Sequence, residues 1–421
     1  MKIAVFHNLP SGGAKRALHN YVKYLKCVGH QIDVHVPATA DENYLPLKDL
    51  VDGYYVYPLR RTVRGALSPY VRYFLPRSFP DLEQTHQCIA EKINEGTYDV
   101  VFSEQDRFTF TPFLLRHLKK PTVYYCQQPC RQDDVILQEL AQAAFPSPPL
   151  PLPKRMWCAY LTKLDKTVPQ IDRANARHAR YILANSYFSR EAILRAYGLN
   201  AYVSYLGVDT DIFRPLNLAR ENFVLSVGAC WLHKGHDFTI RSLGLIDERI
   251  RPRLVIVSNG TDASWEAHLV RLAARLRVHL DLKTSVSDND IVCLYNQTRL
   301  FVYGAILEPF GLAPVEAMAC GTPVVAVKEG GARESVLDAE TGILTPRDEA
   351  VFADAVSGLL ENDERRKRMG CRAVEVVRSF WTIRHAGERL EAHLKRAVAR
   401  NNQDRPISTN YQETRQNSCE P

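Results

Sequence analysis

Long apolar runs, cysteine pairs and familiar nucleotide-binding signatures are all missing from this 421-residue chain. No stretch approaches the ~18 apolar residues that a membrane-spanning helix needs. The ten cysteines form no CxxC pair and no zinc-ligand spacing, which excludes the common structural zinc modules and reads as a set of reduced cytosolic thiols. The P-loop pattern GxxxxGK followed by Ser or Thr does not occur, which argues against a P-loop kinase. No Cys/His dyad or Ser/His/Asp set stands out. The opening Met1–Pro10 is interrupted too soon for a secretory leader and reads as a first strand. What is present is an ordinary globular balance, 46% hydrophobic and 24% charged, which excludes a collagen-like, low-complexity or mostly disordered chain. The length predicts two or three domains.

Charge is unevenly spread. Residues 1–205 carry 26 Lys and Arg against 18 Asp and Glu, net +8, whereas residues 206–421 carry 28 against 29, net −1. A basic half beside a neutral half points to two domains with different partners, the first suited to an anionic ligand, polymer or membrane face. A scattered solubility charge is the plain alternative.

Hydrophobic periodicity organises the chain. Lys2–His7 reads as a short strand, Asn8–Gly13 as a turn, and apolar residues at 14, 17, 18, 21, 22, 25 and 28 as one helix face. Gly29 ends that helix, and strands follow at 32–36, 98–103, 122–126 and 181–184. The Pro-rich run 145–153 cannot be regular structure. A fresh strand at 223–227 opens a second series of alternating strands and helices that reaches residue 327, closed by helices near 349–361, 363–379 and 383–399. This alternation predicts an α/β chain of two Rossmann-like, doubly wound domains facing a central cleft, 1–205 and 206–382, then a helix at 383–400 and a disordered tail at 401–421. Ligands of such sheets bind at the carboxyl ends of strands, beside helix N-termini.

Three places at such ends carry chemistry. Gly12-Gly13 lets backbone approach a phosphate ahead of the first helix, although a plain βα turn reads equally well. Lys234-Gly235 holds the equivalent position in the second half, where a lysine serves a diphosphate as a point charge. The sharpest segment is Glu308-Pro309-Phe310-Gly311-Leu312-Ala313-Pro314-Val315-Glu316. Gly311 frees the amides at 311–313 to point outward. The two acids would repel a bare phosphate but suit hydroxyl groups, as the acidic residue does on ribose in dinucleotide folds.

That segment resembles the Glu-x7-Glu motif of retaining glycosyltransferases of family 4, which have the two-Rossmann GT-B architecture. The resemblance extends over roughly residues 1–400, through Gly12-Gly13, Asn185-Ser186, Gly207–Phe213, Val227-Gly228 with Lys234-Gly235, and Glu329-Gly330-Gly331 with Glu334. It implies that Glu308 contacts the donor sugar near the reacting carbon and that Glu316 binds the nucleotide ribose. It places Lys234 and the amides of Gly311, Leu312 and Ala313 on the diphosphate, with Gly12 and Gly13 approaching from the other domain. It sets the segment ending at Val286 against the base. It implies no metal and no cofactor beyond the nucleotide-sugar substrate. His7, Glu104 and Gln127, at strand ends of the first half, are candidate contacts with sugar or acceptor.

Two residues depart from the family pattern. Ala229 stands where many members carry arginine after the phosphate-loop glycine. Gln127 stands where one branch carries histidine, and it hydrogen-bonds but does not titrate. The expected activity is hexosyl transfer to a hydroxyl acceptor, with a nucleotide-sugar donor and a carbohydrate or lipid-linked carbohydrate acceptor, and without nucleic acid. A nucleotide-sugar-binding scaffold, or an epimerase or glycan phosphorylase on the same architecture, are the alternatives. Residues 54–79 interleave arginines 60, 61, 64, 72 and 77 with aromatic and aliphatic residues, a mixture suited to peripheral contact with an anionic membrane. Apolar core edged by solvated arginines is the competing reading. The expected location is cytoplasmic, peripheral at the membrane if that contact forms.

Overall fold

A computed structural model describes residues 1–59, 78–130, 167–260, 263–284 and 286–400. The Pro-rich run, the arginines of 54–79 and the tail fall outside the described residues.

Among the described residues, seven parallel strands form the first sheet: β1 (Lys2–Asn8), β2 (Gln31–Pro37), β3 (Gly53–Tyr57), β4 (Val100–Asp106), β5 (Thr122–Cys126), β6 (Ile182–Ala184) and β7 (Tyr202–Val203). Their order is β3-β2-β1-β4-β5-β6-β7. The second sheet comprises β8 (Glu221–Val227), β9 (Arg253–Ser258), β10 (Leu280–Thr284), β11 (Thr298–Tyr303), β12 (Val324–Val327) and β13 (Gly342–Thr345), in the order β10-β9-β8-β11-β12-β13. In both sheets the order in which strands are added reverses beside the first strand, between β1 and β4 and between β8 and β11. Crevices for ligands open at such switch points.

The reason is in the strand composition. Ile3, Ala4, Val5 and Phe6 are all fully buried, as are Val224, Leu225, Leu300, Phe301 and Val302. Strands that are apolar on both faces must be covered by helices on both sides, and each such side chain contributes about 1.5–3 kcal/mol when fully buried. The helices are α1 (Gly13–Cys27), α2 (Ser78–Glu95), α3 (Tyr187–Tyr197), α4 (His236–Gly244), α5 (Ala263–Arg275), α6 (Asp288–Gln297), α7 (Leu312–Ala319), α8 (Ala332–Ser335), α9 (Glu349–Leu360), α10 (Asp363–Phe380) and α11 (Ile383–Arg400). α1 buries Ala17, Leu18, Tyr21, Val22 and Leu25, the face its periodicity predicts.

Among the described residues the chain crosses between domains at 207–208 and at 382–383, and these crossings lie together. The Val208 N–H donates to Trp381 O at 2.8 Å, and the Ile383 N–H to Val208 O at 2.9 Å. α11 then returns to the first domain. Its Glu391 accepts from or pairs with His30 at 3.0 Å, and its His393 meets the Tyr181 hydroxyl at 2.8 Å. The last helix is therefore part of the first domain's packing, although it follows the second in sequence.

Candidate donor and acceptor cleft

The loops that follow β8 and β11 are joined edge to edge. Gly235 starts α4 with φ +63, and a Cβ there would run into the Gly304 backbone. The Ile306 N–H donates to His233 O at 2.8 Å. This junction carries Lys234 to Glu308, with 2.8 Å between Nζ and Oε2 and about a fifth of each side chain exposed. Glu308 is itself clamped. The Gly331 N–H donates to Glu308 O at 2.8 Å, and Gly330, at φ +55, leaves no room for a Cβ beside the Glu308 backbone. Leu307 sits in the left-handed region at φ +46, a conformation that costs a non-glycine residue roughly 1–2 kcal/mol. Arg347 braces the same loop, pairing with Glu329 at 2.7 Å and donating to the carbonyls of Gly304 and Ala305 at 2.9 and 2.8 Å.

α7 begins directly after this loop, capped by Gly311 at φ +86. Its first amides are donors without a helical carbonyl to meet. Leu312 lies 3.7 Å from where a Cβ on Gly13 would stand, so the first domain's glycine turn and the α7 N-terminus face each other across the cleft. One turn further along α7, Glu316 is buried and accepts from the Tyr295 hydroxyl at 2.9 Å. Burial pushes its carboxyl up, and the Arg16 guanidinium, 3.9 Å away, pulls it back. Arg16 comes from α1 of the other domain and donates to Asp288 at 2.7 Å. Tyr44 and Phe213 present their rings to it at 5.7 Å.

The structure thus brings Gly13, Lys234, Glu308, Gly311, Leu312, Ala313 and Glu316 to one place, with Gly12 at the cap of α1 at φ +142. Val286 is half-buried just past β10 and packs on the main core. The three first-domain candidates separate. His7 is fully buried 3.1 Å from Glu42 and 3.4 Å from Lys15; burial drives its pKa down to about 4, so it is neutral above that pH. Glu104 is also fully buried. Gln127 Nε2 donates to both its carboxyl oxygens at 3.2 and 3.3 Å, and burial pushes that carboxyl up to about 8 against the pull of these N–H groups.

Sequence reasoning did not single out Arg16, Asp288, Tyr295 or Arg347. Arg16 alone offers a signal, a cation in the first turn after the glycine pair. Glu334 also gains a definite place: its carboxylate accepts from the N–H groups of Tyr187 and Phe188 at 2.9 Å and from the Tyr205 hydroxyl at 2.9 Å. It caps α3 from the opposite domain.

Comparison with known proteins agrees with this geometry. The model for glycosyl transferases group 1 matches residues 208–376, and that for glycosyltransferase family 4 matches residues 11–212. A D-inositol 3-phosphate glycosyltransferase of Catenulispora acidiphila is 33% identical over 246 residues, 53% of this chain and 56% of the relative. A GDP-mannose-dependent alpha-(1-6)-phosphatidylinositol monomannoside mannosyltransferase of Mycolicibacterium smegmatis is 28% identical over 49% of this chain and 59% of its own length. The chain spans about half the length of the curated relatives it matches. Among solved structures, sucrose-phosphate synthase of Thermosynechococcus elongatus superposes with a TM-score of 0.73 at 17% identity, over 94% of this chain and 99% of that one. The Anabaena protein HepE, solved with UDP-glucose, gives 0.68 at 19% identity over 94% of this chain and 100% of its own. With one glycosyltransferase model on each of its two Rossmann-like domains, the chain is a GT-B protein of the glycosyltransferase family 4-like kind.

Proposed function

We propose that the chain moves a hexose from a nucleotide-diphospho-sugar to a hydroxyl acceptor with retention of configuration, in glycan, polysaccharide or glycolipid assembly, and without a metal. The observation that carries this reading is the meeting of Lys234, Glu308 and the α7 N-terminus with Glu316 one turn on and the Gly12-Gly13 turn opposite. An anion at that point finds a lysine and the helix amides, while hydroxyl groups find two carboxylates. A diphosphate taking Lys234 releases Glu308 from its ion pair, leaving its charge to face a sugar that becomes cationic as the glycosidic bond breaks. Glu316 holds the ribose. The bond from the anomeric carbon to the leaving phosphate breaks, the acceptor oxygen bonds to that carbon on the same face, and the acceptor proton passes to a phosphate oxygen. Helix amides and Lys234 stabilise the departing charge. Domain closure keeps water out.

Support for the donor class comes from a relative named for GDP-mannose and a structural neighbour solved with UDP-glucose. Support for a saccharide or lipid-linked acceptor comes from relatives named for inositol phosphate, phosphatidylinositol mannoside and O-antigen chains. No helix among the described residues is long and apolar enough to cross a membrane. The arginines and aromatic residues of 54–79 are the segment that would meet a lipid-linked acceptor at an anionic membrane surface. Ala229 and Gln127 favour a second reading, a scaffold that binds nucleotide-sugar without efficient turnover. A panel of nucleotide-sugars read by thermal shift and by product analysis separates the two. A true donor at 100 times its Kd adds about 2.7 kcal/mol of stability and yields transferred sugar. Stabilisation without transfer supports the scaffold, and neither effect with any donor refutes both.

A further inference from the structure

A chain of buried polar side chains runs from Glu104 to the loop that carries Glu308. Gln127 Nε2 donates to Glu104. Asn185 Nδ2 donates to Gln127 Oε1 at 3.0 Å. Ser189 Oγ donates to Asn185 Oδ1 at 2.6 Å, and the Ser189 N–H donates to Ser186 Oγ at 2.9 Å. Ser186 Oγ then donates across the domain boundary to Pro309 O at 2.5 Å, one residue beyond Glu308. Glu104, Asn185, Ser186 and Ser189 are at most 3% exposed and Gln127 6%. The far end is anchored too, because Glu334, which caps α3, follows the Gly330-Gly331 clamp on Glu308.

From this connectivity we propose that Glu104 is a positioning residue for the transfer reaction: through Gln127, Asn185 and the α3 N-terminus it holds the Glu308–Pro309 loop in its working place. The inference rests on the function proposed above. Being fully buried, Glu104 touches no substrate. It acts on Gln127, whose amide donates to Glu104 at one end and accepts from Asn185 at the other, and Asn185 in turn accepts from Ser189, so these side chains relay a bond direction as far as the Ser189 hydroxyl, and the Ser189 N–H carries the link on to Ser186. Burial favours the neutral acid, against the N–H groups of Gln127 and Gln105. Among the described residues, the titratable groups facing it are Tyr21 on α1 and Tyr125 and Cys126 on β5, with Arg389 of α11 beyond the two tyrosines. Burial holds the tyrosines and the thiol protonated well above neutral pH, so none of these three supplies a cation. Ionising Glu104 strengthens its hold on the Gln127 and Gln105 N–H groups, draws the Gln127 amide away from Asn185 and loosens the loop.

The test compares wild type, Glu104→Gln and Glu104→Ala, using a nucleotide-sugar that the panel identifies as donor. Wild-type kcat falls at least tenfold as pH rises through about 8. Glu104→Ala loses at least tenfold in kcat at pH 7 with donor KM unchanged, whereas Glu104→Gln recovers most of that loss and has no alkaline limb near pH 8. The same limb in Glu104→Gln, or equal kcat in all three proteins, overturns the proposal.

A second measurement needs no donor. The Glu104 carboxyl has a raised pKa in the folded state, so its stabilising contribution is full below the ordinary carboxylate range and is lost as pH rises toward about 8. Wild-type Tm therefore drops more between pH 5 and pH 8 than that of Glu104→Gln. If no nucleotide-sugar is turned over, the functional reading fails while this titration still reports on Glu104. Equal Tm slopes in the two proteins overturn the buried neutral acid on which the proposal depends.

Discussion

Gly330→Ala places a methyl group where the Glu308 loop leaves no room. The Cβ would lie 2.8 Å from the Glu308 backbone nitrogen and closer still to its carbonyl oxygen, at least 0.6 Å short of the 3.4 Å at which ordinary contact begins. Either the Gly330 turn or the Glu308 loop must retreat by that amount. The left-handed φ adds roughly 1–2 kcal/mol for any non-glycine residue. At about 2–4 °C per kcal/mol for a domain of this size, Tm falls by about 2–8 °C from the conformation alone. The effect on turnover is larger in proportion, because a ~1 Å displacement of a reacting group costs on the order of 100-fold. Differential scanning fluorimetry and a coupled assay for released nucleoside diphosphate read the two effects. Expected is a kcat reduced ten- to hundredfold, with donor Kd within about threefold because Lys234 and Glu316 keep their places. Gly358→Ala is the control. It lies within α9 with nothing within 4 Å of its Cβ, and alanine there is neutral to stabilising by about 0.5–1 kcal/mol. Wild-type Tm and kcat in Gly330→Ala would refute the clamp.

Glu308→Gln keeps the shape and removes the charge, so kcat should fall far more than donor affinity; steady-state kinetics beside calorimetric Kd decides. Ala229→Arg should tighten donor binding by roughly 1.5–3 kcal/mol if a charge-assisted contact forms, which the same calorimetry measures. Arg16→Ala deprives buried Glu316 of its facing cation and should weaken nucleoside diphosphate binding at least tenfold, more so at low pH as Glu316 protonates; unchanged affinity from pH 5 to 8 would remove Arg16 from the site. Burial pushes the Glu42 carboxyl up, but hydrogen bonds from His7 and Lys15 outweigh it and hold the group at about 2. The stability this pair contributes is therefore present above the ordinary carboxylate range and lost as pH falls toward 2. Glu42→Gln should lower Tm at pH 7 and flatten its fall between pH 5 and 3.

The two-sheet architecture was legible because the middles of buried parallel strands are apolar on both faces and are separated by amphipathic helices; residues 3–6, 223–225 and 300–302 show this directly. β3 was not, since Gly53–Tyr57 is a short edge strand with Tyr55 and Val56 exposed, and an edge needs no inward alternation. β13 is only four residues long, too short for periodicity. In the site, the Glu308–Glu316 segment announced itself because its glycine, acids and helix start are contiguous. Arg16 acts on Glu316 across 300 residues of sequence, a pairing that only the facing of the two domains creates. Glu104 ends a strand as expected, yet it is fully buried behind Gln127. A strand-end residue's exposure depends on what covers it, which local pattern does not record.

The central claim is tested most directly by following the anomeric proton by NMR while the wild-type protein turns over a donor chosen by thermal shift. The account predicts that the transferred sugar keeps the anomeric configuration it had in the nucleotide-sugar, and that Glu308→Gln slows its appearance without changing that configuration. An inverted product, or donor stabilisation with no transferred sugar under any acceptor condition that supports the family's reaction, would contradict it.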